Sequence, residues 1–451
     1  MLLRFVTNNF LSFGEETEFN MLAGSYKTHK HHVYNVGKVN LLKAAAIYGA
    51  NGAGKSNLVK AIEFLQEAIK EGGIFKSIND KKFKLNKSNL KSNVSFEAEF
   101  VIDDTILSYG VSFNNNIVFQ EWLYEARVTA DDKMIFEREV SDSGKVIIRV
   151  AAKYKKTQKQ KLLIELMEES LLKPSELLLG KSEELKIPEI TTFKEAIEHS
   201  LIVIHPGSRF QGLVPKLNSS KRFKLFTNDL LKAFDTGVTE LSVEGISLDK
   251  FFGDKDDDLK KEIINVLESG KDLLLNTQEG GVLAVKENGK YLIKKTIAQH
   301  TNTLGEVFNF DLSEESDGTQ RLLDFIPAFD GILNTQATYV IDEIDQSLHP
   351  ALLKALLTKI MSDERTKGQL IFTTHESNLL DLNIFRQDEI WFAEKDTNTG
   401  ASQLYSLSDF KPRYDLDIKK GYLKGRFGAI PFLTPLEHLN WKSYEAEEER
   451  L

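Results

Sequence analysis

Cysteine is absent from the 451-residue chain, which excludes a disulfide framework and any thiolate metal site. Also missing is an apolar run near the roughly 18 residues that cross a bilayer, and with it a membrane-spanning reading. There is no excess of basic charge. With 58 Lys and Arg against 67 Asp and Glu the net charge is -9, which argues against a generally basic nucleic-acid binder. A local basic face stays open, because a surface field follows the distribution of charge and not its sum. The first residues, "MLLRFVTNNFLSF", lack the small-residue cleavage site of a signal peptide and read as an alternating strand. These absences lead us to expect a soluble cytoplasmic protein. The chain is 41% hydrophobic, enough for a large core in two or three structural units.

What is present is ordered along the chain. A short apolar run from Ala44 to Tyr48 leads into "GANGAGKS" (49–56). Leu58, Ile62, Leu65 and Ile69 then recur at helical spacing until Gly72 and Gly73 stop the helix. From 94 to 150 the period changes to two. Five alternating segments separated by "DD", "NN", "DDK" and "SDSG" predict an antiparallel meander. Residues 151–200 turn helical and charged, and about 213–300 mixes amphipathic helix with strand, as an inserted subdomain. From 305 alternating α/β returns, with "ATYVID" (337–342), "GQLIFTTH" (368–375) and "DEIWFAE" (388–394) as buried parallel strands and "ALLKALLTKIM" as the helix after the first. We therefore expect an α/β fold with a phosphate-loop parallel sheet, a β-meander and a helical (α+β) insertion, without a long coiled coil. The expected domains are an N-terminal lobe 1–150, an insertion 151–304 and a C-terminal lobe 305–451.

The strand–loop–helix around 49–56 fits G-x-x-x-x-G-K-[S/T] without a mismatch. The loop Gly49, Ala50, Asn51, Gly52, Ala53, Gly54 wraps a phosphate closely, and successive N–H groups through Lys55, Ser56 and Asn57 supply the positive field. Lys55 reaches the β/γ-phosphates and the Ser56 hydroxyl ligates Mg²⁺. "YVIDEID" (339–345) ends an apolar strand in two acids. In a chain with a phosphate loop, Asp342 serves as the Mg²⁺ partner. Glu343 stands ready to polarise an attacking water, which favours hydrolysis over a switch. "FTTHESNLLD" (372–381) puts His375 at the end of the next strand, within reach of a γ-phosphate or that water.

Together with "SDGTQRL" at 316–322, these motifs resemble the ABC-class ATPase head of the SMC/RecF/OLD kind. More narrowly the chain resembles small prokaryotic AAA-type, RecF-like ATPases of phage-defence systems, PARIS being one. "VTNNFLSF", "IDEIDQSLHP" and "GYLKGRFGAIPFL" (421–433) carry the narrower likeness. The resemblance implies that a signature in one subunit completes the nucleotide site of another. Ser316 would then bond the γ-phosphate across a homodimer or higher homo-oligomer, and Gly318 would offer its N–H. The signature departs from the common "LSGGQ" form, with Glu315 for leucine, Asp317 for glycine and Thr319 for glutamine. The resemblance also makes Asp345 and His349 the trans-acting side chains of "DQSLHP", and implies ATP with Mg²⁺ and a glutamine loop at Gln120 or Gln211. It further suggests a partner effector, a nuclease or toxin. The other reading is a RecF-type DNA clamp using the lysine runs 80–92 and 153–161, which on their own read more readily as solvated faces.

Three smaller features stay open. Arg426 is structural or touches nucleotide. "HKHH" (29–32) lacks a carboxylate in sequence and reads as exposed or nucleotide-edge histidines more readily than as a metal site. "DKDDD" (254–258) has no preceding apolar strand of the kind a nuclease metal site needs.

Overall fold

The computed structural model describes residues 1–430 apart from 211, 254–255, 278–279 and 414–415. Its centre is a six-stranded sheet in the order Leu201–Ile204, Thr338–Ile341, Gln369–Thr373, Ala44–Gly49, Ile390–Lys395 and Ser402–Ser406. All neighbours are parallel except the last strand. Strand Ala44–Gly49 is buried throughout. Ala45 and Ile47 join the core on one side of the sheet, while Ala44, Ala46 and Tyr48 join the core on the other. A strand covered on both faces needs a continuous apolar run, and "AAAIY" is one.

The first core lies between this sheet and a seven-stranded antiparallel sheet. In that second sheet Leu2–Asn8 and Thr17–Asn20 extend the five meander strands from Val94 to Val150. The meander turns follow their sequence: Asp103 and Asp104 both adopt positive φ (46° and 60°), the geometry of a tight primed hairpin turn. Helix Lys55–Glu71 lies in this core through Leu58, Val59, Ile62, Leu65 and Ile69, and Gly72 at φ 71° ends it.

Sheet membership cuts across the expected boundary at 151. Helix Pro188–Ser200 packs on helix Lys55–Glu71, and strand Leu201–Ile204 belongs to the central sheet. Gln66 fastens this join by donating to the carbonyls of Ile197 (2.9 Å) and Leu201. A separate sheet, Val238–Ser247, Lys290–Thr301, Gly280–Glu287 and Leu273–Thr277, with Val307–Asp311 beside Lys290–Thr301, forms the insertion. It carries helix Asp257–Glu268, whose Ile263 and Leu267 join a small core of its own. Among the described residues no helix is long and apolar enough to cross a membrane.

Candidate nucleotide site

The phosphate loop leaves the C-terminal end of strand Ala44–Gly49 and feeds helix Lys55–Glu71. No side chain caps this helix and its first turn holds no acid, so its first N–H groups remain for an anion. Gly54 sits at φ 110°, and a Cβ there would lie 2.3 Å from Ser402 Oγ; only glycine fits. Behind the loop, Asn57 Nδ2 and Ser402 Oγ each donate to Ser12 Oγ at 2.8 Å. Ser12, in the "NNFLSF" turn held by fully buried Phe10 and Phe13, thus braces the loop from the N-terminal sheet. Lys55 Nζ donates to the carbonyls of Gly49 (2.9 Å) and Ala50 (3.1 Å). Burial lowers its pKa to about 8, opposed by the nearby carboxylates of Asp342, Glu343 and Asp345.

The acid pair follows strand Thr338–Ile341, which is separated from the phosphate-loop strand by Gln369–Thr373. Two strand spacings of about 4.8 Å put roughly 10 Å between the two backbones, room for a phosphate chain and a cation. Asp342 is 3% exposed and accepts from Ser56 Oγ at 3.1 Å and from Thr373 Oγ1 at 2.6 Å. Thr373 Oγ1 in turn accepts the Glu343 N–H at 2.8 Å. Glu343 is held at φ 52°, a left-handed conformation unusual for a side chain of its size. His375 follows the intervening strand, and its N–H points at both Asp345 carboxylate oxygens (3.4 and 3.3 Å). Burial and then the positive charge of Lys55 lower the His375 pKa below 6.5, against the pull of Asp345, Glu343 and Asp342. His375 is therefore electrostatically coupled to the same cluster. Hydroxyl plus carboxylate at Ser56 and Asp342 is an oxygen donor set suited to a small hard cation that keeps most of its waters.

The signature lies apart from these groups. Ser316 is the N-cap of helix Asp317–Asn334 and accepts from Thr319 N at 3.2 Å. It is exposed, with Asp317, at the tip of the helix. A Cβ on Gly318 would come within 3.0 Å of the Ser347 carbonyl, so glycine lets the helix tip sit against the loop after the acid pair. Arg321, buried one turn on, donates to the carbonyls of Ser208 (3.3 Å) and His205 (3.1 Å). That ties the signature helix to the loop leaving strand Leu201–Ile204.

Other expected residues vary in their surroundings. Asp345 and His349, expected to act on a partner, also make bonds within their own chain, Asp345 inside the nucleotide cluster. Asp345 receives the His375 N–H, and His349 Nδ1 caps helix Pro350–Met361 by accepting from Ala351 N at 3.2 Å. Gln120 is exposed on the meander strand Ile117–Ala126, in a cleft shared with Trp122, Tyr124 and Arg149 and not with the phosphate loop. Gln211 lies outside the described residues, as do Asp254, Lys255 and the end of "GYLKGRFGAIPFL". The loop from 205 to 210 leaves strand Leu201–Ile204 beside the acid pair, where Asp342 N donates to Ile204 O at 2.8 Å. Arg426 is exposed, with its guanidinium 5.9 Å from the Phe427 ring centre. Lys82, within one lysine run, is buried and donates to Leu90 O and Asn114 Oδ1 (both 3.2 Å), so that run is not a continuous basic face. Sequence reasoning missed Thr373 and Ser12, both small hydroxyls whose only signal is proximity to a motif. It also missed a cleft of about 320 Å³ beside the phosphate loop, lined by Leu11, Ser12, Asn57, Lys82, Leu85 and Lys395.

A parallel sheet with a phosphate loop, an acid pair two strands away and a signature helix beside it defines an ABC-class, SMC/RecF-like P-loop ATPase. The chain belongs to the family described as "AAA domain, putative AbiEii toxin, Type IV TA system", whose model matches residues 44–381. No curated protein matches it. Similar solved structures include the SMC head domain from Thermotoga maritima, with 13% identity over 90% of this chain and 98% of that one (TM-score 0.39). Another is the SmcHead bound to the C-winged helix domain of ScpA, at 16% identity over 91% and 99% (TM-score 0.39). A third is the Smc head domain with an extended coiled coil bound to the C-terminal domain of ScpA derived from Pyrococcus furiosus, at 14% identity over 94% and 99% (TM-score 0.40).

Proposed function

We propose that the chain hydrolyses ATP between two of its own copies, and that this cycle controls a partner effector, a nuclease or toxin, in prokaryotic anti-phage defence. The observation that carries the hydrolytic reading is the Ser56–Asp342–Thr373 cluster with Glu343 hydrogen-bonded to its rim. Ser56 and Asp342 would hold Mg²⁺, which when bound neutralises phosphate charge. Lys55 exchanges its two loop carbonyls for phosphate oxygens, so its charge is spent on the substrate and not on the loop. Glu343, with its backbone fixed by Thr373, accepts a proton from an attacking water. His375, neutral at pH 7, orients that water or donates to the γ-phosphate. The cleft lined by Leu11, Leu85 and Lys395 takes the nucleoside, since it opens beside the loop that takes the phosphates.

The trans reading rests on the exposed Ser316 tip. Within one chain Ser316 only caps its own helix, and with Asp317 it is exposed at the helix tip. The effector reading rests on the family description and on the sequence resemblance, which is analogy and not chemistry. The test is ATP turnover by wild type and Glu343→Gln. Loss of about 10²–10⁴-fold in kcat with ATP affinity retained supports the proposal. A wild type without turnover that Glu343→Gln abolishes makes the protein a nucleotide-gated scaffold instead.

A second reading, a DNA clamp of the RecF/SMC kind, is favoured by the exposed Lys155, Lys156, Lys159 and Lys161 in one short segment. It requires that duplex DNA stimulate the ATPase and that binding weaken steeply with salt.

A further inference from the structure

At the other end of the central sheet, before strand Ala44–Gly49, three imidazoles converge. His29 takes a left-handed backbone (φ 47°) and the single turn Lys30–His32 follows, which folds His29, His31 and His32 onto one another. Ring centres lie 4.5 Å (His31–His32), 4.9 Å (His29–His32) and 6.0 Å (His29–His31) apart. One ring nitrogen from each lies within 4.8 Å of the others. Three nitrogens bound to one zinc at about 2.0–2.1 Å in a tetrahedron are roughly 3.3 Å apart, so the rings must draw together by up to about 1.5 Å to close the site.

The outer partners are those of metal-bound histidines. Such a ring nearly always donates its second N–H to a carboxylate or a backbone carbonyl, which fixes the tautomer and aims the free nitrogen. His32 Nδ1 lies 3.0 Å from both oxygens of the fully buried Glu389. His29 Nε2 lies 2.9 Å from the Leu382 carbonyl. His32 Nε2 and His29 Nδ1 are thereby left as the donors. His31 Nε2 is buried without a hydrogen-bond partner, an expensive state for a polar atom unless something binds it.

The surroundings hold these groups in place. Buried Arg386 grips Asp388 through two hydrogen bonds (2.9 and 2.7 Å) and donates to the carbonyls of Gly24 (2.9 Å) and Thr28 (3.2 Å). Gly24 N donates to Asp388 at 2.7 Å, and Arg386 N donates to Glu389 at 2.7 Å. The loop that carries the histidines and the turn that carries their carboxylate partner are therefore one rigid unit. This carboxylate is 357 residues from His32, so no local spacing in the sequence pairs the two. The Met361 carbonyl lies beside His31 and His32.

We propose that His29, His31 and His32 bind one zinc-type transition-metal dication, with Glu389 and the Leu382 carbonyl orienting the rings. Imidazole-only donors suit Zn²⁺, Ni²⁺, Cu²⁺ and Co²⁺ and do not suit Mg²⁺ or Ca²⁺. With three protein ligands the fourth position falls to water. The site ties the segment entering the phosphate-loop strand to the segment entering strand Ile390–Lys395. Its role is to lock the two halves of the nucleotide sheet together from the end opposite the nucleotide.

The test uses untagged full-length protein purified without chelator. Elemental analysis should find about one zinc per chain, and Co²⁺ exchange should give the visible bands of a tetrahedral site. Competition with a chromophoric chelator should show that His31→Asn and His29→Asn each weaken Zn²⁺ binding by more than about 100-fold, and Glu389→Gln by about 10–100-fold. Both histidines are only half-buried, so the variants should fold. Mg²⁺-ATP affinity of each variant serves as the control for a folded nucleotide site. Zinc-free wild type with no saturable Zn²⁺ binding overturns the proposal. So does equal Zn²⁺ affinity in wild type and His31→Asn with ATP binding intact.

Discussion

The Ser56 hydroxyl and the Asp342 carboxylate meet at 3.1 Å across 286 residues of chain. This contact joins the start of the phosphate-loop helix to the end of a strand that is not its neighbour in the sheet. Thr373, on the strand between, supports it with a 2.6 Å bond to the same oxygen. Three elements distant in sequence therefore define one cation-sized corner.

Removing either half of that corner should cost catalysis more than folding. Ser56→Ala and Asp342→Asn should lower Mg²⁺-dependent phosphate release by about 10²–10³-fold. Binding of a fluorescent ATP analogue without Mg²⁺ should change little. Thr373→Val differs, since it strips a buried carboxylate and the Glu343 N–H of one partner each. Denaturant unfolding should show a loss of about 1–3 kcal/mol beside a partial loss of rate.

Ser316 has two separable duties, and two substitutions distinguish them. Ser316→Asn keeps a side-chain oxygen for the Thr319 N–H, so stability should hold within about 0.5 kcal/mol. Ser316→Arg removes the cap and adds a bulky cation, at a cost of about 1 kcal/mol. Light scattering with Mg²⁺-ATP should show that Ser316→Arg binds nucleotide but neither assembles nor turns over. Normal hydrolysis by a monomeric Ser316→Arg protein would rule out the trans reading.

Gly318→Ala tests the contact between the signature helix and the loop after the acid pair. Alanine gains up to about 1 kcal/mol in helix propensity. The same Cβ arrives 3.0 Å from the Ser347 carbonyl and forces that loop to move. Thermal stability should stay near wild type while ATP-driven assembly weakens, measured by melting and by light scattering on the same sample.

Lys55 sets a pH dependence. Its folded pKa is lowered to about 8 from 10.5 in the unfolded chain. Between those values the unfolded chain binds more protons, so this group's contribution to stability rises with pH across that window and is unfavourable below it. Nucleotide affinity runs the other way, because phosphate needs the charged lysine. The Kd for ATP should weaken by up to about tenfold per pH unit above pH 8. Proton uptake on binding, read by calorimetry in two buffers, should appear over the same range.

Much of the fold is legible where local pattern suffices. The meander strands, the phosphate-loop helix and its stop at Gly72, and the three C-terminal strands all appear within a residue or two of their periodicity. Short alternating runs bounded by turn residues carry their own boundaries. Strand Leu201–Ile204 was hidden because four apolar residues after a helix have no period to measure.

The sequence by itself determined the chemistry on offer: a glycine loop with Lys55 and Ser56, a carboxylate pair at a strand end, and His375 after the next strand. These are local, since backbone conformation at glycine and alternation in a strand depend on near neighbours. Tertiary structure alone decided which of them meet. Thr373 between Asp342 and Glu343, Ser12 behind the phosphate loop, Gly318 against Ser347 and Glu389 behind His32 depend on strand order and on packing across hundreds of residues. Hydrogen bonds between buried groups are satisfied by whatever the fold brings near, and no spacing along the chain records that choice.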